Sequence, residues 1–336
     1  METQITPSNE GIIRAAQLIR DGQLVAFPTE TVYGLGANAK DAEACRRIYE
    51  AKGRPPDNPL IVHIPHRDDL SGLMRGAMNN QAERLLKAFW PGPLTVVVPC
   101  GGHISSVALG GLDTVAVRCP SHPVAQKLLQ LSGCPIAAPS ANRSGKPSPT
   151  TAEDVYEDMN GRIPLILDGG PASVGVESTV VDLSHEIPIL LRPGAVTHQQ
   201  LEHFLGPVTL ADDSTPARSP GMKYRHYAPR APVQWWDTDD VDQALTRWQS
   251  LAMPRERYGL LASEEIGRAL GPALFYNLGD NDGAAAQNLF AGLRTLDRER
   301  PAAIIVVWKQ STPLGAAIAN RLAKAAAPNP TGDDNE

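Results

Sequence analysis

The chain has 336 residues, of which 42% are hydrophobic and 20% are charged, and its formal net charge is −6. This length predicts two domains, and the composition is that of an ordinary globular protein. The negative net charge argues against a surface that attracts nucleic acid or anionic membrane as a whole, and no apolar run approaches the roughly 20 residues that span a bilayer.

The four cysteines, Cys45, Cys100, Cys119 and Cys134, form no CxxC pair and share no metal-ligand spacing with histidine. They therefore predict neither a zinc site nor a disulfide framework. Residues 1–10 are polar and do not form the apolar core of a signal peptide. We expect a cytoplasmic protein.

The first 205 residues predict alternating helices and strands. Ser8 or Asn9 caps a first helix that ends near Gly22, and Asp41 caps a second helix that ends near Gly53. The strands are expected at 23–27, 60–64, 94–98, 114–117, 135–138, 164–168, 178–183 and 187–191, and the other helices at about 67–75, 79–89, 123–131, 151–159 and 197–205. Because several neighbouring strands lack a helix between them, a twisted, mixed, open α/β sheet is predicted for domain 1–205.

A linker and a smaller domain follow. Residues 206–231 lose periodicity but contain SPGMKYRHYAP (219–229), whose tyrosines, histidine and cations favour an ordered linker or lid over a flexible spacer. Strands at 232–236, 258–262, 273–278 and 302–308, with helices near 240–250, 282–299 and 314–326, predict a small Rossmann-like α/β domain at 232–326. The tail 327–336 is predicted to be disordered.

The segment 25–63 carries the strongest chemical signal. An apolar strand runs into Thr29 and Glu30, and one helix later Lys52 and Arg54 flank a glycine. Hydroxyls and fixed cations at strand ends suit a polyphosphate ligand. The stretch between Asp113 and Glu153 also has no acidic residue but four cations, which adds to the prediction of an anion site.

Several familiar motifs fit poorly. Gly34-Leu35-Gly36 follows a strand, but polar residues intervene, so a dinucleotide-binding loop is disfavoured. Pro147 after Gly145-Lys146 excludes a P-loop. With no Ser–His–Asp set or HExxH motif, what remains is a set of hydroxyls, amides and cations: Thr29, Thr31, Lys52, Arg54, Asn58, Thr114, Arg118, Ser140, Asn142, Ser148, Ser178 and Arg192. Such groups position and neutralise a substrate, which predicts phosphoryl or nucleotidyl transfer.

The motifs PTETVYGLG (28–36), NPLIVH (58–63), WPGPLT (90–95), LDTVAVR (112–118), APSAN (138–142), PSPT (147–150), GVEST (175–179) and LLRPG (190–194) resemble the YrdC-type threonylcarbamoyl-AMP synthases. The linker and second domain resemble the long, two-domain form of that enzyme. The resemblance implies a YrdC-like fold with a deep basic cavity. It also implies formation of L-threonylcarbamoyl-AMP and pyrophosphate from L-threonine, bicarbonate or CO2, and ATP, for the modification of adenosine 37 in tRNA.

The resemblance also implies roles for individual residues. Those expected at ATP are Lys52, Arg54, Pro56, Asn58, Thr114, Ser140, Asn142, Ser148, Arg192 and Tyr224, with Lys52 and Arg54 closest to the chemistry. Those expected at L-threonine are Thr29, His63, Arg118, Ala138 and Ser178, with Arg118 on the carboxylate. Mg2+ is expected to arrive on the phosphates, without a protein metal site.

The implied partner is a separate tRNA threonylcarbamoyl transferase complex, and a weak contact with RNA is a further expectation. One alternative is an RNA-binding module without catalysis, against which the net charge and the lack of stacking aromatics near Lys52 count. A second alternative is a carbamoyl-adenylate enzyme of the same fold, but such proteins carry zinc-finger-like cysteine pairs that this chain lacks.

Overall fold

The computed structural model describes residues 2–212 and 226–327, which form two α/β domains. Of the segment predicted to link them, residues 213–225 lie outside the described residues. Residues 328–336, which make up nearly all of the tail predicted to be disordered, also lie outside them.

The first domain is built on one eleven-stranded sheet. Its strands are β1 (Gln4–Pro7), β2 (Val25–Phe27), β3 (Gly34–Asn38), β4 (Ile61–His63), β5 (Leu94–Pro99), β6 (Thr114–Arg118), β7 (Ile136–Ala137), β8 (Leu165–Asp168), β9 (Thr179–Asp182), β10 (Ile189–Arg192) and β11 (Thr209–Leu210). Their order in the sheet is β1-β8-β2-β3-β7-β4-β6-β5-β9-β10-β11. β4 and β6 run parallel, whereas β5 and β6 run antiparallel, which confirms the predicted mixed sheet.

Helices cover both faces of this sheet. They are α1 (Ser8–Arg20), α2 (Ala42–Lys52), α3 (Asn80–Phe89), α4 (Ser106–Leu109), α5 (Pro123–Ser132), α6 (Ala152–Met159) and α7 (His198–Leu205). α1 and α5 bury Ile19 and Leu128 in one apolar cluster, while α2 and α3 bury Ile48 and Leu85 in a larger cluster. The apolar side chains on these helices explain why both faces of the sheet are buried.

Helix α2 has caps at both ends, as its sequence predicts. The carboxylate of Asp41 accepts hydrogen bonds from the backbone N–H groups of Glu43 and Ala44, and Gly53 ends the helix with a left-handed φ of 63°. This end point places Lys52 on the last buried turn and Arg54 in the loop directly after the helix.

The second domain has a separate four-stranded sheet in which every pairing is parallel. Its strands are β12 (Val233–Trp236), β13 (Tyr258–Ala262), β14 (Leu274–Asn277) and β15 (Ala303–Val307), in the order β12-β15-β13-β14. Its helices are α8 (Val241–Gln249), α9 (Glu264–Leu270), α10 (Asp282–Arg298) and α11 (Gly315–Ala326). Among the described residues, no helix combines the length and the apolar character that crossing a membrane requires.

The two domains share an apolar cluster. Val32 and Val176 of the first domain belong to the same buried cluster as Leu289 and Phe290 of α10. Tyr227, which precedes β12, stacks on Phe290 with ring centroids 5.3 Å apart. Val176 follows Gly175 directly, so its place in the shared cluster shows that α10 packs against the turn at Gly175.

Some elements differ from the sequence-based expectations. Residues 34–38, to which no element was assigned from the sequence, form buried strand β3, in which Gly36 leaves room for the Phe27 ring: a Cβ there would come within 2.8 Å of Phe27. The first helix begins after Pro7 without a side-chain cap, so the predicted capping by Ser8 or Asn9 is wrong. β1, β11 and helices α4 and α9 were not predicted, and residues 67–72 form a 3₁₀ turn rather than a longer helix.

Gly175→Ala is expected to destabilise the contact between the domains. Gly175 has a φ of 81°, and a Cβ there would overlap the backbone of Ala286 and Gln287 in α10. Gly170 has a similar φ of 79° but open space around it, so Gly170→Ala controls for backbone strain alone. Urea unfolding should show a free energy of unfolding about 1–3 kcal/mol lower for Gly175→Ala than for Gly170→Ala. Equal losses would show that the close approach to α10 is unimportant.

Candidate active site

A cleft opens where strand ends of the first domain meet His226 and Tyr227, which lie just before the second domain. The carboxyl ends of parallel strands β4 and β6 lie side by side there, with His63 and Arg118 in register. The described residues that line the cleft include four cationic side chains and one carboxylate, and these are Arg54, Arg118, Lys146, Arg192 and Glu177. The cleft is therefore basic, as the sequence predicts.

Lys52 holds the loop after β7 through hydrogen bonds to two of its backbone carbonyls. Its ammonium group donates to the carbonyl oxygen of Ser140 at 2.6 Å and to that of Asn142. Within the loop, the Ser140 hydroxyl donates to Oδ1 of Asn142 at 2.5 Å. Burial, with a further contribution from Arg54, holds the pKa of the Lys52 ammonium well below its ordinary value. An anion in the cleft would stabilise the charged form of Lys52. This attraction would in turn strengthen the binding of the anion.

Arg54 has a similar environment. Its Nη2 atom donates to the carbonyl oxygens of Pro59 at 3.1 Å and Asn58 at 3.3 Å. Burial lowers the pKa of Arg54 to about 10, so the guanidinium stays charged at neutral pH. Neither Arg54 nor Lys52 forms an ion pair with a carboxylate of residues 2–212 or 226–327.

Arg118 forms a buried ion pair with Glu30. Its Nη2 atom lies 2.6 Å from Oε1 of Glu30, and its Nη1 atom donates to the Thr31 hydroxyl at 2.8 Å. Burial raises the pKa of the Glu30 carboxyl, but the charge and hydrogen bond of Arg118 outweigh this effect and the pKa is lowered. Glu30 therefore fixes the direction in which Arg118 points.

His63 is neutral. Its Nδ1 atom lies 3.1 Å from the carbonyl oxygen of Ile61, a contact that places the proton on Nδ1 and leaves Nε2 as an acceptor. Burial, and next the charge of Arg118, lower the pKa of His63 to about 3. The imidazole is thus suited to accept a hydrogen bond and is too weak a base to hold a proton at neutral pH.

A second polar group surrounds the turn before β9. Arg192 donates to the Ser178 carbonyl oxygen at 3.0 Å and to the Ser178 hydroxyl at 3.1 Å, and that hydroxyl lies 2.7 Å from the hydroxyl of Thr95. One residue earlier, Glu177 accepts from the Ser148 hydroxyl. These contacts fix the positions of Ser178, which the family resemblance assigns to L-threonine, and of Ser148, which it assigns to ATP.

The structure brings most of the predicted residues together. Those that line the cleft are Thr29, Arg54, His63, Arg118, Ala138, Ser140, Asn142, Ser148, Ser178 and Arg192. Lys52 lies directly behind the wall, and Pro56 lines a neighbouring depression that Arg54 also lines. Asn58 contributes its carbonyl oxygen to Arg54. Thr114 is buried at the opposite end of β6 from Arg118 and does not line the described cleft, and Tyr224 lies outside the described residues.

Sequence reasoning missed several side chains at the cleft. Glu30 and Glu177 lie within motifs but received no role, because one sequence does not show which cation each carboxylate meets. His226 and Tyr227, which belong to the segment predicted as an ordered linker or lid but received no role of their own, also line the cleft. Burial and the charge of Arg54 lower the pKa of His226 to about 3, so it is neutral as well.

The arrangement can hold a polyanion and orient it. Buried cations that interact with backbone carbonyls, together with the nearby hydroxyls, stabilise negative charge more strongly than they would in water. The described residues contain no group of three or more histidine, cysteine or acidic side chains that could hold a metal ion. The one carboxylate in the cleft wall, Glu177, is engaged by Ser148 and Arg321.

Comparison with known proteins places these features in context. The family described as "Telomere recombination" matches residues 17–194, and "Threonylcarbamoyl-AMP synthase, C-terminal domain" matches residues 196–327. The threonylcarbamoyl-AMP synthase of Bacillus subtilis is 45% identical over 96% of this chain and 95% of its own length, and that of Pyrococcus abyssi is 48% identical over 93% and 92%. The crystal structure of P. abyssi Sua5 complexed with L-threonine aligns with a TM-score of 0.87, 44% identity and coverage of 97% of this chain and 96% of that one.

His63→Asn is expected to make the protein less sensitive to acid. His63 has a pKa of about 3 in the folded protein and 6.5 as its reference value, so the unfolded chain binds more protons between these values. The free energy of unfolding therefore falls as the pH drops through this window, by about 2 kcal/mol between pH 7 and pH 5 for this one residue. Asparagine does not titrate. In urea unfolding experiments, the free energy of unfolding of the variant should therefore fall by about 2 kcal/mol less than that of wild type between pH 7 and pH 5.

The control is His103→Asn, because His103 is exposed and lies outside the cleft. It should leave the difference in unfolding free energy between the two pH values unchanged. If His63→Asn also leaves it unchanged, His63 is not buried in its neutral form.

Proposed function

The chain belongs to the threonylcarbamoyl-AMP synthase family, which makes it an enzyme of the nucleotidyltransferase type, and we propose that it makes L-threonylcarbamoyl-AMP from L-threonine, bicarbonate or CO2, and ATP. Pyrophosphate is the second product. Membership in a family of enzymes also sets aside the alternative of an RNA-binding module without catalysis.

The observation that carries the proposal is the pair of buried cations, Lys52 and Arg54, which donate to backbone carbonyls and form no ion pair with a carboxylate of the described residues. Burying a cation without an opposite charge is costly, so such a site gains free energy when an anion enters it. ATP supplies that anion in its triphosphate. The guanidinium of Arg192 lines the same cleft and would complete the phosphate contacts. Ser140 and Ser148 line the cleft as well, and because their hydroxyls donate to Asn142 and Glu177, they would accept hydrogen bonds from the hydroxyl or amino groups of the nucleotide.

The amino acid would lie at the other group of polar side chains. Arg118, held by Glu30, offers a guanidinium for the threonine carboxylate, and neutral His63 offers Nε2 as an acceptor. Thr29, Ser178 and Ala138 also line the cleft and would complete the contacts with the amino acid. The solved complex of P. abyssi Sua5 with L-threonine supports this substrate for the present chain.

The chemistry then needs no covalent intermediate on the protein. The threonine amine loses its extra protons to water and adds to the carbon of CO2, or to bicarbonate with loss of water, which gives a carbamate. A carbamate oxygen attacks the α-phosphorus of ATP, the bond to the β-phosphate oxygen breaks, and pyrophosphate leaves with the electron pair. Lys52 and Arg54 would stabilise the charge that develops on the leaving group, which matches a site without an activated nucleophile.

Mg2+ enters this proposal as part of the nucleotide substrate, held by the phosphates. The product is a mixed anhydride that water hydrolyses, so the burial of the cleft by His226 and Tyr227 would protect it. We propose that a separate transferase complex places the threonylcarbamoyl group on adenosine 37 of tRNA, and that the enzyme works in the cytoplasm, where ATP and tRNA are found.

Pyrophosphate release from ATP, measured without RNA, tests the proposal. Release should require both L-threonine and bicarbonate, and its absence under these conditions would refute the synthase assignment. Lys52→Ala should lower kcat/KM by an amount equivalent to about 2–4 kcal/mol, because a preorganised charge at the leaving group is lost. Lys127 is exposed on α5 and does not line the cleft, so Lys127→Ala serves as the control and should behave like wild type.

A further inference from the structure

Glu177 presents an electrostatic problem within the cleft. It is the only acidic side chain among the described residues that line the cleft, and it is 6% exposed. Its Oε1 atom accepts a hydrogen bond from the hydroxyl of Ser148. A buried carboxylate in the same cleft as a bound triphosphate would repel it unless a cation compensates the charge.

The compensating cation comes from the second domain. Arg321 on α11 is fully buried, and its Nε atom donates to Oε2 of Glu177 at 3.0 Å. Its Nη1 atom donates to the carbonyl oxygen of Pro193 at 2.6 Å, and its guanidinium carbon lies 5.6 Å from the ring centre of Tyr227. Arg321 therefore approaches Glu177 from the side away from Ser148, with its orientation fixed by three neighbours.

We propose that Arg321 is a positioning residue of the nucleotide site, which neutralises Glu177 so that this carboxylate can orient Ser148 without repelling the phosphates. The proposal rests on the proposed function, since it assumes that ATP occupies the cleft. It gives the second domain a direct part in substrate binding: the site of the first domain is electrostatically complete only when α11 is docked.

The charge state of the pair agrees with this geometry. Burial raises the pKa of the Glu177 carboxyl, but the charges of Arg321 and then Arg192 and the hydrogen bond from Ser148 outweigh it, so the pKa is lowered and the group is ionised. An ionised Glu177 accepts a stronger hydrogen bond from Ser148 than a protonated one would.

A second contact between the domains acts on the same loop. Arg294 of α10 donates to the carbonyl oxygen of Pro147 at 2.6 Å and pairs with Asp158 at 2.7 Å. Asp158 in turn pairs with Lys146 at 2.6 Å. Two arginines of the second domain thus reach the surroundings of Ser148: Arg294 contacts its chain neighbour Pro147, and Arg321 contacts its hydrogen-bond acceptor Glu177. Of these two, Arg321 is the one that acts through a carboxylate lining the cleft.

The test is a set of variants of the full-length protein, with ATP and threonine binding measured by calorimetry and kcat and KM measured by pyrophosphate release. Arg321→Met keeps the volume of the side chain but leaves Glu177 uncompensated. It should weaken ATP binding by about tenfold or more and raise KM for ATP, with little change in threonine affinity. Arg321→Lys keeps the charge and should retain most of the ATP affinity.

The double variant Arg321→Met with Glu177→Gln gives the sharpest outcome. The glutamine still accepts from Ser148 but has no charge, so ATP affinity should return to near the value of Glu177→Gln alone. A purely structural role for Arg321 predicts no such recovery. The control is Arg298→Ala, which removes an ion pair between the domains, to Asp154 at 2.8 Å and Glu157 at 2.6 Å, that does not touch the cleft. It should bind ATP like wild type.

Three results would overturn the proposal: ATP affinity of Arg321→Met equal to wild type, a double variant no better than Arg321→Met, or Arg321→Lys as impaired as Arg321→Met. Should Arg321→Met fail to fold, as judged by circular dichroism, the comparison of Arg321→Lys and the double variant with Glu177→Gln still decides the point. A wild-type protein that binds no ATP would be a different failure, because it would refute the proposed function itself.

Discussion

The site depends on two buried cations, Lys52 and Arg54, that form no ion pair with a carboxylate in the described part of the chain. Lys52 is the last residue of α2, and Arg54 follows two residues later. Backbone carbonyl oxygens of the neighbouring loops fix the positions of both side chains but do not neutralise their charges. In a low-dielectric cleft, such an arrangement lowers the stability of the empty protein and raises its affinity for an anion. The helix caps, the left-handed Gly53 and the loop at 138–146 hold Arg54 in the wall of the cleft and Lys52 directly behind that wall.

The two carboxylates of the site are each paired with an arginine and serve to orient neighbouring groups. Glu30 and Glu177 each face an arginine, and each orients a group that is expected to touch substrate, Arg118 in one case and Ser148 in the other. Each carboxylate lies beside its own arginine, so the positive charge that no carboxylate of the described residues balances remains on Lys52 and Arg54.

Much of this could be predicted from the sequence, because strands, caps and loop cations have local signatures. The mixed sheet, α2 with its caps and the clustering of Arg54, Arg118, Ser140 and Arg192 follow from such signatures and from the family resemblance. Strand β3 could not be predicted, since glycines suggest a loop until the Phe27 ring that fills their space is known. The roles of Glu177 and Arg321 depend on a contact between residues 144 positions apart, and no local pattern reports such a contact.

The salt bridge between α11 and the turn before β9 also constrains how the two halves of this chain can change over generations. If Arg321 were lost, the acid at 177 would become a liability, and if the acid were lost first, the arginine would be left buried without a counterion. The two positions therefore cannot drift independently and are expected to covary. A one-domain version of the same fold would have to neutralise that acid from within or replace it by an uncharged acceptor.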